Sequence, residues 1–402
     1  MTTAPRTPPA AGRLTAATAA YFASFVCLGL VNASLGPTLP GLAEQTGSLV
    51  AQISVLFIAR SLGYLGGAQL GGRLYDRASG HPVMGGMLLV VAITLVAIPI
   101  VPALWMLALA LLLIGFAEGS VDVGGNTLLV WQHRERVGPF MNALHFFFGV
   151  GAFVAPILIA QALLLTGGIR GAYWLLALLV LPVSVWLLRL PTLVIRPAPT
   201  TADQGGGGGL LVALVALMMF LYVGAEVSFG SWVYTYAVTL GLGTETSAAY
   251  LTSLFWGALT LGRLLSIPLA ARVEPRTILL ADLIGTLLSV GLIVLLPGWT
   301  PAVWIGAFGL GLSMAAIFPT VINFAGRRTA ITGRVTSTFL IGASLGAMSL
   351  PWLIGQLFER LGPRVVMSAI LIDLLAALGL FVLMMLYARR FPARPVVEQV
   401  AD

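Results

Sequence analysis

Apolar runs of about 20 residues recur from one end of this 402-residue chain to the other. Each run is long enough to cross the roughly 30 Å hydrocarbon core of a bilayer, and a backbone in lipid must form its hydrogen bonds within one helix. The sequence therefore predicts an all-α integral membrane protein. Twelve spans are expected and are numbered 1 to 12, at 14–38, 49–71, 83–101, 104–130, 139–165, 172–190, 210–238, 248–271, 277–296, 301–325, 334–357 and 365–388.

The composition and the charges fit this membrane topology. Hydrophobic residues make up 59% of the chain and charged residues only 9%, which is too few for the surface of a soluble domain. All basic residues are Arg, and a cytoplasmic N-terminus would leave only Arg170, Arg360 and Arg364 in outside loops. The positive-inside rule then predicts that both termini are cytoplasmic. Nucleic-acid binding is not expected, because the arginines are spread over short loops.

Two stretches of the chain are nearly identical: GAFVAPILIAQ at 151–161 in span 5 and GAMSLPWLIGQ at 346–356 in span 11. A polar segment at 191–209, ending in five glycines, has the composition of a flexible tether and separates six spans from six spans. The chain is predicted to be a tandem repeat, with an N-terminal bundle at 1–190, a cytoplasmic linker at 191–209 and a C-terminal bundle at 210–402. Transporters are often built from two such bundles, which rock about a central site.

A second echo occurs where spans 2 and 8 end, with GGRLYDR at 71–77 and LGRLLSI at 261–267. The first copy resembles the signature G-x-x-x-D-R/K-x-G of the major facilitator superfamily, although it has one extra residue before its last glycine. Together with twelve spans and the repeat, it predicts the fold of that superfamily, two pseudo-symmetric six-helix bundles. Gating or structural roles are expected for Gly72, Asp76, Arg77, Arg60 and Arg263.

Small residues at four-residue spacing occur in spans 2 and 11 and let helices approach closely. They are Gly63, Gly67 and Gly71 in span 2 and Gly342 and Gly346 in span 11. Spans 2 and 11 face each other across the two bundles of the superfamily, so these glycines are predicted to pack between the bundles. Packing within one bundle is the alternative.

Span 4 carries three polar residues, Glu118, Asp122 and Asn126, whose four-residue spacing places them on one face of a helix. A charge at the centre of a membrane helix costs about 2.5–3.5 kcal/mol, so each carboxylate needs a function or a partner. The equivalent positions of span 10 carry no charge, and the repeat therefore does not require them. A cavity-lining site is predicted; a buried ion pair with Arg60 is the alternative.

Other polar residues within spans are candidates for substrate contact. Asn142 and His145 lie in span 5, where an imidazole can donate or accept a hydrogen bond, or can simply be bonded within the bundle. Span 7 places Glu226 before Trp232 and Tyr236, whose rings can stack on a pyranose or can form an interfacial belt. Two further candidates on cavity-lining helices of the superfamily are Asn32 and Asn323.

No enzyme activity, resident metal or organic cofactor is expected. GASLG at 342–346 fits the G-x-S-x-G pattern but lies in an apolar helix and lacks the strand–turn–helix context of a reactive serine. The sequence contains no phosphate-binding loop and no metal-ligand cluster.

Several long stretches resemble the sodium-dependent glucose transporter branch of the superfamily and, more distantly, the fucose–proton symporters. They are GLVNASLGPTLPGLAEQTG, QISVLFIARSLG, ALHFFFGVGAFVAPIL, YVGAEVSFGSWVYTYAV and AYLTSLFWGALTLGRLLSIP. The resemblance implies that Asp122 and Asn126 match the acidic-x-x-x-Asn element in which fucose symporters carry their protonatable carboxylate. It also places His145 where those symporters have a sugar-contacting Gln, whereas their acidic residue of helix 1 has no counterpart here.

The resemblance implies a symporter that moves a neutral, glucose-like monosaccharide with Na⁺ or H⁺. A drug–proton antiporter on the same fold and a sugar sensor without transport are the alternatives. A monomer is expected in a multi-pass cell membrane, and the all-Arg basic set indicates a GC-rich genome and hence a bacterial inner membrane. Coupling roles are expected for Asp122, Glu118 and Glu226. Substrate-binding roles are expected for Asn126, Asn142, His145, Trp232, Tyr236, Asn32 and Asn323.

Overall fold

Helices account for all the regular structure in the residues that the computed structural model describes, which are 11–77, 79–191, 209–329 and 333–390. Twelve helical segments are long and apolar enough to cross a membrane, and each overlaps one predicted span, which confirms the twelve-span, all-α prediction. The helices of spans 1 to 6 are Ala11–Asn32 with Leu35–Thr46, Val50–Ile53 with Val55–Arg77, Gly80–Ala97, Leu104–His133, Val137–Thr166 and Ile169–Arg189. Those of spans 7 to 12 are Gly209–Thr239, Glu245–Ala270, Pro275–Leu295, Thr300–Met314 with Ile317–Gly326, Gly333–Leu361 and Val365–Arg390.

Spans 1, 2 and 10 are interrupted, although a single helix was predicted for each; span 2 is interrupted at Ser54, and the other two breaks share a feature. Span 1 breaks after Asn32 and span 10 breaks after Met314. In each case a proline, Pro37 or Pro319, lies four residues after a carbonyl in the break. Proline has no N–H to donate to that carbonyl, and its ring clashes with it, which weakens the helix at these points. Proline alone does not force a break, because Pro156 and Pro351 lie within unbroken helices.

The helix contacts repeat between the first half, spans 1–6, and the second half, spans 7–12. Span 1 packs on span 5, span 2 on span 4 and span 3 on span 6, while span 7 packs on span 11, span 8 on span 10 and span 9 on span 12. The two halves meet where span 2 contacts span 11, span 5 contacts span 8 and the second helix of span 1 contacts span 7. The predicted linker at 191–209 falls almost wholly outside the described residues.

The repeated phrase makes the same contacts in both halves. A Cβ at Gly151 would overlap the carbonyl of Val26 in span 1, and a Cβ at Gly346 would overlap the carbonyl of Phe220 in span 7. Each copy therefore begins with a glycine that lets two helix backbones touch within its own half.

The prediction that the glycines of spans 2 and 11 pack between the halves is wrong. A Cβ at Gly63 or Gly67 would overlap the carbonyl of Leu112 or Phe116 in span 4, and the glycines of span 11 meet backbone oxygens of span 7. Both sets thus pack within their own half, which was the alternative. Sequence spacing identifies a close-packed helix face but not the helix that packs on it.

Candidate functional site

Glu118 in span 4 forms a bidentate ion pair with Arg60 in span 2. Arg60 Nε donates to Oε2 at 2.8 Å, and Nη2 donates to Oε1 at 2.6 Å. The remaining Nη1 donates to the Asn32 carbonyl at 3.1 Å, at the break in span 1. The side chains are only 13% and 6% exposed, so the pair is largely removed from solvent. For Glu118 the structure thus shows the arrangement of the alternative interpretation, a buried ion pair.

Asp122 lies one turn further along span 4 and is held by two neutral donors. Tyr64 in span 2 donates to Oδ2, and Asn126 donates from Nδ2 to Oδ1 at 3.0 Å and to the Asp122 carbonyl at 2.8 Å. The carboxylate is half-buried and forms no salt bridge within the residues that the structure describes. Sequence reasoning missed Tyr64, although its four-residue spacing from Arg60 repeats the spacing of Glu118 and Asp122.

His145 in span 5 lies between the two halves. Its ring meets Phe25 of span 1 edge-on, with centroids 5.8 Å apart and an interplanar angle of 82°. The imidazole interacts electrostatically with Asp122 of the first half and with Arg263 of the second half. His145 and Asn142 are both exposed at this position of span 5.

The second half contains its own mid-membrane ion pair. Glu226 in span 7 lies 3.9 Å from Arg263 in span 8, with side chains 12% and 30% exposed. Both residues interact electrostatically with the hydroxyl of Tyr222, which lies one turn before Glu226. Each half therefore holds an arginine–glutamate pair that joins two of its spans, and the predicted coupling residues Glu118 and Glu226 both have a basic partner.

Trp232 and Tyr236 do not lie beside His145 or Asp122. Trp232 is fully buried, its Nε1 donates to the Pro351 carbonyl in span 11 at 3.1 Å, and its ring lies 5.6 Å from Phe358 and 5.9 Å from Phe57. Tyr236 is also buried, at 1% exposure. The structure thus places Trp232 in the packing among spans 2, 7 and 11, near the ends of spans 7 and 11.

The remaining candidates are spread over the molecule. Asn32 is half-buried at the break in span 1, and its carbonyl is bonded to Arg60. Asn323 is exposed near the end of span 10, where its Oδ1 accepts from Arg327 Nε at 3.2 Å. A Cβ added to Gly72 would meet no atom within 4 Å among the described residues, and Arg77 is exposed. The side chain of Asp76 lies outside the described residues.

The contacts at this site can bind a cation and hydroxyl groups without covalent chemistry. Asp122 and Asn126 offer carboxylate and amide oxygens, which suit Na⁺ or H⁺, and His145 offers a donor or acceptor. Among the described residues, no three His, Cys, Asp or Glu side chains are grouped as metal ligands.

Comparison with known proteins agrees with the helix arrangement. The family model of the Major Facilitator Superfamily matches residues 21–351. Sodium-dependent glucose transporter 1 of Xenopus laevis is 35% identical over 356 residues, which cover 81% of this chain and 72% of that protein. The human protein of the same name is 31% identical over 373 residues, which cover 83% of this chain and 72% of that protein.

A solved structure shows the same fold at low sequence identity. The crystal structure of a mutant of the nucleoside transporter NupG matches with a TM-score of 0.73 at 15% identity, covering 93% of this chain and 99% of that chain. The twelve apolar helices, the repeated helix contacts and these matches identify a multi-pass membrane transporter. The chain therefore belongs to the Major Facilitator Superfamily.

Proposed function

We propose that this protein is a secondary active transporter that carries a neutral, glucose-like monosaccharide together with a cation by alternating access. The observation that carries the coupling assignment is the difference among its three candidate carboxylates. Glu118 and Glu226 each have an arginine partner, whereas Asp122 accepts hydrogen bonds from the neutral side chains of Tyr64 and Asn126 and forms no salt bridge within the described part of the chain. A carboxylate inside a membrane is stabilised by a positive partner, and here the transported cation supplies it.

The coupling role accordingly belongs to Asp122, and the two glutamates act as structural or gating ion pairs. We favour Na⁺ as the cation, because the relatives are named sodium-dependent transporters. The same carboxylate could also bind H⁺. The sugar is supported by those names and by the uncharged hydrogen-bonding groups of Asn126, Asn142 and His145, which suit a substrate that has hydroxyls and no charge.

The proposal includes an orientation for the protein. The preponderance of arginine in the loops on the side of the termini favours a cytoplasmic location for both ends, as expected for a bacterial inner-membrane protein. Tight contacts between the halves, such as Gly36 against the carbonyls of Gly230 and Ser231, lie on the opposite side. The described conformation is then closed to the outside, and residues 1–190 and 210–402 are the two bundles that rock, joined by the linker at 191–209.

The test is uptake of radiolabelled D-glucose into proteoliposomes under an imposed Na⁺ or H⁺ gradient. Wild type should accumulate glucose with one gradient, whereas Asp122→Asn should lose accumulation and keep gradient-free exchange of glucose. Asp373→Asn is the matched control, because Asp373 is a buried carboxylate of span 12, far from span 4 in the fold, and should leave accumulation intact.

Two outcomes would overturn parts of the proposal. Accumulation that survives Asp122→Asn removes the coupling role from this residue. An absence of glucose uptake under both gradients removes the sugar, and uptake of a lipophilic cation in its place would support a drug–proton antiporter.

A further inference from the structure

Spans 7 and 8 contain an unusual number of buried polar atoms that lack a hydrogen-bond partner among the described residues. They belong to Ser228, Thr235, Ser253 and Trp256. A buried polar group without a partner costs about 1–3 kcal/mol, so such groups are rare in a settled core. In a transporter, unpartnered donors of this kind are groups that a hydroxyl-bearing cargo can satisfy.

Trp256 is the largest of these side chains and the least ambiguous donor. It is 5% exposed and lies near the middle of span 8, and its Nε1 finds no acceptor among the described residues. An indole N–H can only donate a hydrogen bond, so only an acceptor atom can satisfy it.

A glycine in span 7 makes room for this indole. A Cβ added to Gly230 would come within 2.6 Å of Trp256 Cζ2 and 3.0 Å of Cε2. Cε2 is bonded to Nε1, so the N–H edge of the ring lies against the span 7 backbone where no side chain intervenes. Any residue larger than glycine at this position would displace the ring.

Trp256 shares a helix face with residues already placed at the candidate site. Trp256, Thr260 and Arg263 lie at positions i, i+4 and i+7 of span 8, which brings them onto one side of the helix. Arg263 pairs with Glu226 and acts on His145, and a Cβ at Gly149 of span 5 would overlap the Thr260 hydroxyl. The face that carries Trp256 is therefore turned towards spans 5 and 7, about 10 Å along the helix from Arg263.

We propose that Trp256, and not Trp232, is the aromatic residue that contacts the sugar, with its indole N–H donating a hydrogen bond to one sugar hydroxyl. This inference rests on the proposed sugar transport and names a binding residue for it. The two tryptophans differ in their donors, because the N–H of Trp232 is already bonded to the Pro351 carbonyl, whereas that of Trp256 has no acceptor among the described residues. The ring of Trp256 also supplies an apolar face for the C–H side of a pyranose.

The test measures equilibrium binding of D-glucose and of its single-deoxy analogues to the purified full-length protein in nanodiscs. Trp256→Phe, which keeps a ring but removes the N–H, should weaken D-glucose binding about fivefold to tenfold. For the one analogue that lacks the partner hydroxyl, wild type and Trp256→Phe should bind equally. Trp232→Phe is the matched control and should change glucose affinity by less than about twofold.

A second variant keeps the test valid if Trp256→Phe does not fold. Benzothienylalanine at position 256 keeps the size and shape of the indole and replaces the N–H with sulfur, and it should give the same loss. Equal glucose affinity for wild type and these variants overturns the inference and leaves sugar transport standing. If Trp256→Phe weakens the binding of every analogue by the same factor, Trp256 acts through packing, and the inference is also overturned. Failure of wild type to bind any sugar of the panel overturns both the inference and the proposed function.

Discussion

Gln161 and Gln356 occupy the same position of the repeated phrase, and each bonds to the opposite half of the molecule. Gln161 Nε2 in span 5 donates to the Tyr250 hydroxyl in span 8 at 2.6 Å. Gln356 Nε2 in span 11 donates to the Ala51 carbonyl at 2.7 Å and to the Ser54 hydroxyl at 3.1 Å, at the start of span 2. The two copies of the repeated phrase thus each end in a contact between the halves. Both contacts lie at the ends of the spans that are opposite to the side of the chain termini.

Removing one of these contacts should favour opening of the molecule on that side. Gln356→Ala loses two hydrogen bonds that join spans 2 and 11, each contributing about 0.5–1.5 kcal/mol. Leu49 and Leu361 are both exposed and can each be replaced by a spin-labelled Cys. Double electron–electron resonance should then show a larger population of long distances between the two labels in Gln356→Ala than in the protein with the native glutamine. The single native Cys27 is buried and should remain unlabelled.

The control for this measurement is Ser349→Ala in the same span. Within the described residues, the hydrogen bond of the Ser349 hydroxyl goes to the Leu345 carbonyl of its own helix, so its removal should leave the distance distribution unchanged. A wild-type distribution for Gln356→Ala would show that the glutamine does not contribute to closure.

The Arg60–Glu118 pair should behave as a structural element whose partners depend on each other. Glu118→Gln leaves the Arg60 guanidinium uncompensated in the membrane interior and should destabilise the protein by about 3–5 kcal/mol. The double variant with Arg60→Gln should recover part of that loss, because no unpaired charge remains. Thermal unfolding in detergent measures both.

An exposed ion pair provides the comparison. The side chains of Glu274 and Arg276 are 62% and 67% exposed, and such pairs contribute about 0–1 kcal/mol, so Glu274→Gln should leave the unfolding midpoint nearly unchanged. A double variant that is less stable than Glu118→Gln would contradict the interpretation that the charges compensate each other.

Tyr64 should tune the affinity of Asp122 for the coupling cation. Its hydroxyl donates to Asp122 Oδ2 and so competes with a cation for that oxygen. Tyr64→Phe should lower the half-saturating cation concentration of transport about threefold to tenfold, the equivalent of one hydrogen bond. Tyr75→Phe, in the same span, removes a hydroxyl that has no hydrogen bond of normal geometry within the described residues and should leave that concentration unchanged. Equal values for wild type and Tyr64→Phe would remove this role from Tyr64.

The sequence predicted the helices and the polar face of span 4 well, but it could not distinguish the different environments of Trp232 and Trp256. Charges within membrane helices are rare enough that Glu118, Asp122 and Arg60 stand out from the sequence alone. Trp232 and Trp256 lie in helices that carry apolar residues on every side, so periodicity does not distinguish a lipid-facing, a packed or a cavity-lining ring. The breaks in spans 1 and 10 could not be predicted from Pro37 and Pro319 alone, because Pro156 and Pro351 of the repeated phrase lie within continuous helices.

The close contact between spans 2 and 4 gives a prediction that tests the geometry of the first half. Gly63 and Gly67 of span 2 interlock with Gly115 and Gly119 of span 4, where an added Cβ would overlap a backbone oxygen of the other helix in every case. This approach is what lets Arg60 and Tyr64 reach the two carboxylates of span 4. Gly67→Ala must separate the helices and should cost about 1–3 kcal/mol, seen as a lower unfolding midpoint and weaker cation-driven uptake.

The adjacent Gly66 is the matched control for Gly67, because both sit in the same helix turn and differ only in what they face. The nearest atom to a Cβ at Gly66 is Cδ2 of Phe116 at 3.7 Å, an ordinary van der Waals contact. Gly66→Ala should therefore keep the wild-type stability or raise it by about 0.5–1 kcal/mol, since alanine favours a helix over glycine. If Gly66→Ala and Gly67→Ala unfold at the same temperature, spans 2 and 4 do not touch through their backbones, and the positions of Tyr64 and Arg60 beside span 4 must be revised.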